Sequence, residues 1–360
     1  MKWKPNWAVT KKHMVDFWNH KGLALWMRGP ADKPIGSLAG PTDSPDQEFI
    51  WTNPARRLQT WESEGPKYFW GSDAFPFFET HIGPGSLGSF LGAKCNFAPD
   101  TVWYEPCIHD PENHPPLKFD PENHWFKVHM DLIQEGIKNA NGRYLVALPD
   151  LIENIDTLAA LRGTEEMLFD LLERPEWVHR SLAEINQAFF QAFDIMFNAV
   201  KDLPESDGGN VFGPFAVWGP GKTAKVQADF SAMISAPMFK EFVVPYLSEQ
   251  CKWLDYSLYH LDGTTALQHM DALLSIESLR AIEWTPQAGI EGGGHARWFD
   301  IYRQIKKAGK CVQAIQVMPD EVVPLIDAVG PEGLYIIGNA PDQKTAERVM
   351  KDCEQFGWRP

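Results

Sequence analysis

The sequence predicts an α/β fold, a single (β/α)8 barrel, on three observations. Short apolar runs alternate with longer helical patterns from residue 66 onward. Eight strand candidates can be counted, a number that suits a closed barrel better than an open sheet. Most of these runs are apolar throughout, as strands covered on both faces are. Residues 1–65 are expected to form an irregular N-terminal extension packed on a barrel made by 66–360, in one structural domain overall.

Within the extension, a short helix is expected over 11–19, followed by the apolar run Leu23, Ala24, Leu25, Trp26 and Met27. Proline, glycine, serine and aspartate then punctuate 29–46 as a loop, and a helical stretch covers 54–64. Strands are expected at 68–70, 101–105, 144–148, 211–217, 258–261, 281–284, 312–316 and 334–337. Helical patterns fill the intervals at 121–140, 164–203, 236–254, 297–308, 319–329 and 342–356. The first carries Phe126, Met130 and Ile133 at helical spacing. The last opens on Pro341 and Asp342 and places Glu347 early and Lys351 late, as helix-end electrostatics prefers.

Composition narrows the function classes. The chain has 360 residues, 44% of them hydrophobic and 22% charged, which is ordinary for a globular enzyme. A net charge of −15 disfavours nucleic acid and anionic membrane surfaces as partners. No apolar run has the length of a membrane span, and the first residues lack an apolar stretch before a small-residue cleavage site. Five widely spaced cysteines without a CxxC pair suit a reducing compartment, so a cytoplasmic location is expected. Apolar faces on the outer helices would suit a homodimer.

Tyr259-His260-Leu261-Asp262-Gly263 is the most informative stretch. Side chains two apart on a strand point to the same side, so His260 and Asp262 would project together from the strand's carboxyl end, where barrel enzymes collect their chemistry. The pair could hold a metal, relay a proton or grip a polar substrate. Other strand-closing residues would share that face: Glu105, Asp150, Trp218, Trp284, Gln287, Gln316 and Asn339. Glu105, Asp150, His260 and Asp262 together form a candidate catalytic set, because packed like charges are costly unless a cation or proton offsets them. His260 and Asp262 are donor types that suit Zn2+ or another divalent metal. Trp70, Trp103, Trp218 and Trp284 are expected to wall a pocket for a flat ligand. Arg28 is a candidate anchor for an anionic group. Gly219-Pro220-Gly221-Lys222-Thr223 only superficially resembles a phosphate loop, since Pro220 removes an amide donor.

Several blocks resemble the uroporphyrinogen decarboxylase superfamily, in a divergent branch related to corrinoid-dependent methyltransferases. They are Leu25-Trp26-Met27-Arg28-Gly29, Gly71-Ser72-Asp73-Ala74-Phe75-Pro76, Ile82-Gly83-Pro84-Gly85 and Phe90-Leu91-Gly92-Ala93. The stretch from Asp156 through Leu161 to Gly163, the run Asp229-Phe230-Ser231-Ala232-Met233-Ile234-Ser235, and the His260 block continue the series in order. The resemblance implies a (β/α)8 barrel and one of two chemistries: cofactor-free decarboxylation of a porphyrinogen, or methyl transfer to or from a corrinoid-bearing partner protein with zinc assistance. In such methyltransferases zinc sits on a His-x-Cys at the fifth strand and a cysteine near the eighth. Here His260 matches, Asp262 replaces the first cysteine, and Asn339 stands where the second would fall. A harder metal or a metal-free site follows.

The porphyrinogen decarboxylases place several arginines in the N-terminal loop and an aspartate against the pyrrole nitrogens. This chain keeps Arg28 without a second arginine beside it, and Asp73 is the candidate for the aspartate. The first expectation is therefore a methyltransferase-like enzyme that moves a methyl group from a small O- or N-methylated compound to a corrinoid protein. A decarboxylase or lyase using Asp73 or His260 as acid–base stands as the alternative, and a non-catalytic corrinoid- or ligand-binding barrel as a third reading.

Overall fold

The centre of the computed structural model, which describes residues 1–360, is a mostly parallel sheet in two arcs. In chain order the strands are β1 (Leu23–Pro30), β2 (Tyr68–Phe69), β3 (Phe77–Phe78), β4 (Lys94–Phe97), β5 (Val102–Glu105), β6 (Leu145–Leu148), β7 (Asn210–Phe212), β8 (Val217–Gly219), β9 (Thr223–Gln227), β10 (Tyr256–Asp262), β11 (Ala281–Thr285), β12 (Cys311–Ala314) and β13 (Leu334–Asn339). One arc runs β2-β1-β13-β12-β11-β10-β9 and the other β3-β6-β7-β8. All pairs in the first arc are parallel except β1–β2, and in the second all except β7–β8. Helices cover the outside: Trp7–Trp18 and Gln343–Cys353 lie against β1, His124–Ala140 against β6, and Phe299–Lys307 against β12.

Strand ladders stop at two places, and polar side chains take over there. Along the free edge of β1, the Leu25 amide donates to Asp73 Oδ2 at 2.8 Å and the Met27 amide to Ser72 Oγ at 3.0 Å. Between β7 and β9, Asn210 Nδ2 donates to the Thr223 carbonyl at 2.8 Å while its Oδ1 accepts from the Thr223 amide at 2.9 Å. Buried backbone groups must be paired, so an amide or carboxylate side chain substitutes for the missing neighbour.

Several expectations are corrected. The run 23–27 is not part of an irregular extension; it forms β1, paired in parallel with β13 in the larger arc. The expected strand 68–70 is only an antiparallel edge on the end of β1. The expected second strand, 101–105, lies outside the central sheet and forms an antiparallel hairpin with β4. Its place beside β6 is taken by the two-residue β3, too short for any periodicity to reveal. The expected strand 211–217 is a hairpin, broken at Gly213-Pro214, and β9 was not anticipated because Lys225 interrupts it. A single apolar core of 94 buried residues includes Trp3, Phe17 and Leu25 together with residues throughout the rest of the chain.

Candidate functional site

The carboxyl ends of β9, β10 and β11 bring a connected polar cluster together. Period-two placement sends Lys225 and Gln227, His260 and Asp262, and Glu283 and Thr285 to the same side of adjacent strands, in register His260–Glu283 and Gln227–His260. His260 Nδ1 sits 2.5 Å from Glu283 Oε2, and the other Glu283 oxygen accepts from Thr285 Oγ1 at 2.7 Å. Glu283 is fully buried, and burial raises its pKa. Burial alone would lower that of His260, but the hydrogen bond and charge of Glu283 outweigh it and the net direction is upward.

The loop after β9 adds Asp229. Donor atoms of Asp229, His260 and Asp262 lie within 4.8 Å of one another, with the two aspartates exposed and the imidazole half-buried. Asp229 keeps an edge in water, yet the protein around its carboxyl, and next the charge of Asp156, push it up to about 6. Asp156 accepts from the amides of Asp229 at 2.8 Å and Phe230 at 2.9 Å. Behind them Lys225 is buried with its Nζ 2.8 Å from Asp150 Oδ1, and Glu153, fully buried, is pushed up to about 8 by burial. Opposing charges on that buried lysine, chiefly Asp150 and Glu153, raise its pKa against the burial that would lower it.

These donors fit a divalent cation. One nitrogen and two carboxylates suit a hard or borderline ion, and a buried carboxylate on Nδ1 fixes the imidazole so that Nε2 keeps the lone pair to give. Carboxylates crowded around one lysine also leave excess negative charge for a cation to neutralise.

A large cavity of about 980 Å³ opens beside this cluster. Its wall is aromatic, with Trp26, Trp51, Trp61, Tyr68, Trp70 and Phe77. Three arginines line it against two glutamates: Arg28, Arg56 and Arg57 facing Glu64 and Glu79. The Arg28 guanidinium lies 4.3 Å over the Tyr68 ring, and Arg57 donates to the carbonyls of Glu79 at 3.1 Å and Trp51 at 3.3 Å. Burial would raise the Glu79 carboxyl, but His81, whose Nε2 is 3.1 Å away, together with Arg57 and Arg28 pulls it below its ordinary value. Gln316 and Asn339 also line this space.

The hairpin tip between β7 and β8 separates cavity from cluster. Phe215 lines the cavity and packs its ring 4.8 Å from the His260 ring at 47°. Gln313 Nε2 donates to the Phe215 carbonyl at 2.9 Å and Tyr335 Oη to the Ala216 carbonyl at 2.7 Å, which pins the tip against β12 and β13. Ala216, Ile152 and Gln316 all hold left-handed φ angles, +47°, +44° and +57°. Such backbone costs a non-glycine residue roughly 1–2 kcal/mol, and all three stand on loops that build this mouth.

Of the residues expected from sequence, the structure brings His260, Asp262 and Asp150 into the cluster, and Arg28, Trp70, Gln316 and Asn339 into the cavity. It does not bring the others. Glu105 turns outward on the β4–β5 hairpin, 51% exposed and paired with Lys94 at 2.9 Å. Asp73 is buried against β1, away from the cluster, where it accepts from His13, Leu25 and Trp358. Trp103 is 54% exposed on that same hairpin. Trp218 and Trp284 are buried in the core, packed on Trp7 and Trp298 respectively. Gln287 latches two loops together, its Oε1 accepting from Thr264 Oγ1 at 2.7 Å.

Sequence reasoning missed Asp156, Glu153, Lys225, Gln227, Asp229, Glu283, Arg57 and Phe215. For one of them a signal existed: Glu283 is a charge inside the largely apolar strand β11, whereas Lys225 and Gln227 alternate with apolar residues in β9. No helix is long and apolar enough to cross a membrane. No protein-family model and no curated protein matches this chain.

Proposed function

We propose that this chain is a metal-assisted enzyme, a closed (β/α)8 barrel of the uroporphyrinogen decarboxylase superfamily in its methyltransferase-like branch. It would move a methyl group from a small O- or N-methylated compound to a corrinoid carried by a partner protein in the cytoplasm. The observation that carries the metal assignment is His260, held at Nδ1 by buried Glu283 and grouped with Asp229 and Asp262. The side-chain bridges at both ladder gaps support closure of the two arcs into one barrel.

His260, Asp229 and Asp262 would hold the ion, whose chemistry is to draw electron density from the leaving heteroatom. The carbon–heteroatom bond breaks with its electron pair remaining on the heteroatom, so an ether oxygen needs such help to leave. The aromatic cavity would hold the body of the substrate and Arg28 would anchor an anionic substituent, and the Phe215 tip, which lines the cavity and touches His260, would have to move for the leaving heteroatom to reach the ion.

Elemental analysis of wild type, His260→Ala and Asp262→Ala after dialysis against a Co2+ buffer tests this reading. One bound ion per chain in wild type, lost in both variants, is expected; equal content in all three, or none, removes the metal. A second reading, decarboxylation of a carboxylate-bearing substrate, is favoured by the cavity's three arginines, which outnumber its two glutamates. Activity that survives exhaustive chelation would select it.

A further inference from the structure

We infer that Lys225 and Gln227 are positioning residues that aim Asp229 at the cation site; this rests on the metal assignment above. Lys225 Nζ has only hydrogens to offer, and it donates to Gln227 Oε1 as well as to Asp150. That contact settles which way the Gln227 amide faces. Its Nε2 must point the other way, and there it donates to Asp156 Oδ2 at 2.8 Å and to Asp229 Oδ2 at 2.9 Å.

Both amide hydrogens are thus spent on two carboxylates that would otherwise repel each other. The Gln227 backbone is fixed as well, its amide donating to Glu153 Oε1 at 2.9 Å. Asp156 completes the brace by accepting from the Asp229 amide. Asp229 Oδ2 is therefore tied back to Gln227, which fixes the carboxylate whose oxygen is grouped with the donors of His260 and Asp262. Lys225 already has Asp150 as its ion partner at 2.8 Å, and its remaining hydrogens are free to act on Gln227. Orientation of Gln227 gives them a use.

The two roles predict opposite signs, which makes the inference decidable. If Lys225 acted only through its charge, replacing it by a neutral side chain would tighten binding of a divalent cation. If it acts by orienting Gln227, the same change lets the amide turn, loosens Asp229 and weakens binding.

The experiment is a Co2+ titration, followed by visible absorption, of wild type, Lys225→Met and Gln227→Met, with folding checked by circular dichroism. Weakening of about 10- to 100-fold in both variants is expected, the range typical of partners that orient metal ligands. Gln227→Met changes no charge and keeps the Lys225–Asp150 pair, so it decides the matter alone if Lys225→Met fails to fold. Wild-type binding with unchanged or tighter binding in the folded variants overturns this inference and leaves the metal site standing. No binding by wild type overturns the metal site, and this inference with it.

Discussion

Replacing Asp73 separates a structural role from a chemical one. Its carboxylate is 1% exposed and takes three hydrogen bonds: His13 Nδ1 at 2.8 Å, the Leu25 amide at 2.8 Å and Trp358 Nε1 at 2.7 Å. These tie the first helix, β1 and the end of the chain to one group. In Asp73→Ala, three buried donors lose their partner. Each unsatisfied donor costs about 1–3 kcal/mol, so the loss is at least about 3 kcal/mol before any cavity is counted. Folded domains are stable by only about 5–15 kcal/mol, and a loss of that size lowers the unfolding midpoint visibly. Asp73→Asn keeps an acceptor for Leu25 and Trp358 and gives up the charge, so it should fall between wild type and alanine. Urea unfolding followed by tryptophan fluorescence measures the series, and Co2+ titration of the same samples measures the mouth. Stability ordered wild type, asparagine, alanine with unchanged Co2+ affinity is expected. An unfolding midpoint unmoved in Asp73→Ala, with binding lost, would refute the structural assignment and return Asp73 to the chemistry.

Two further predictions concern His260. In Glu283→Gln the charge and strong acceptor that raise the imidazole are gone, burial dominates, and the His260 pKa should drop below the ordinary histidine value of about 6.5 in an NMR titration. The sign for stability follows from linkage: in wild type the raised pKa contributes stability that is complete below about pH 6.5 and is lost as pH climbs through the folded value. That stretch of the stability–pH curve should flatten in Glu283→Gln, and a curve identical to wild type would rule out the pair. Phe215→Ala should expose the imidazole face now covered by the ring, giving several-fold faster carbethoxylation of His260 by diethylpyrocarbonate, read by mass spectrometry. An unchanged rate would mean that the hairpin tip does not shield the site.

How much of this was legible in the sequence depended on whether a residue's neighbours along the chain were also its neighbours in space. Strands β6, β10, β11 and β13 could be read, because three or more buried residues in a row leave a mostly apolar signature. Strand β3 could not, since two residues carry no period, and its vacancy in the count was filled by β5, whose alternating exposure belongs to a hairpin outside the central sheet. The error at Glu105 followed directly: a residue closing the wrong strand was assigned to the mouth. His260 and Asp262 were legible because the strand's own period of two aligns them.

Asp229, Glu283 and Lys225 were not legible as a site, because strand register and a loop bring them together and neither can be seen one segment at a time. Yet Glu283 did announce itself by a different rule. A charge within an apolar, fully buried strand pays a desolvation cost that no folded protein carries without compensation. Each such residue therefore implies a partner. Lys225 meets Asp150 and Gln227, and Glu283 meets His260, so that β9, β10 and β11 carry one connected polar cluster. Glu283, a charge inside the apolar strand β11, marks its own strand in the sequence, and the register that sets it against His260 and Gln227 comes only with the fold.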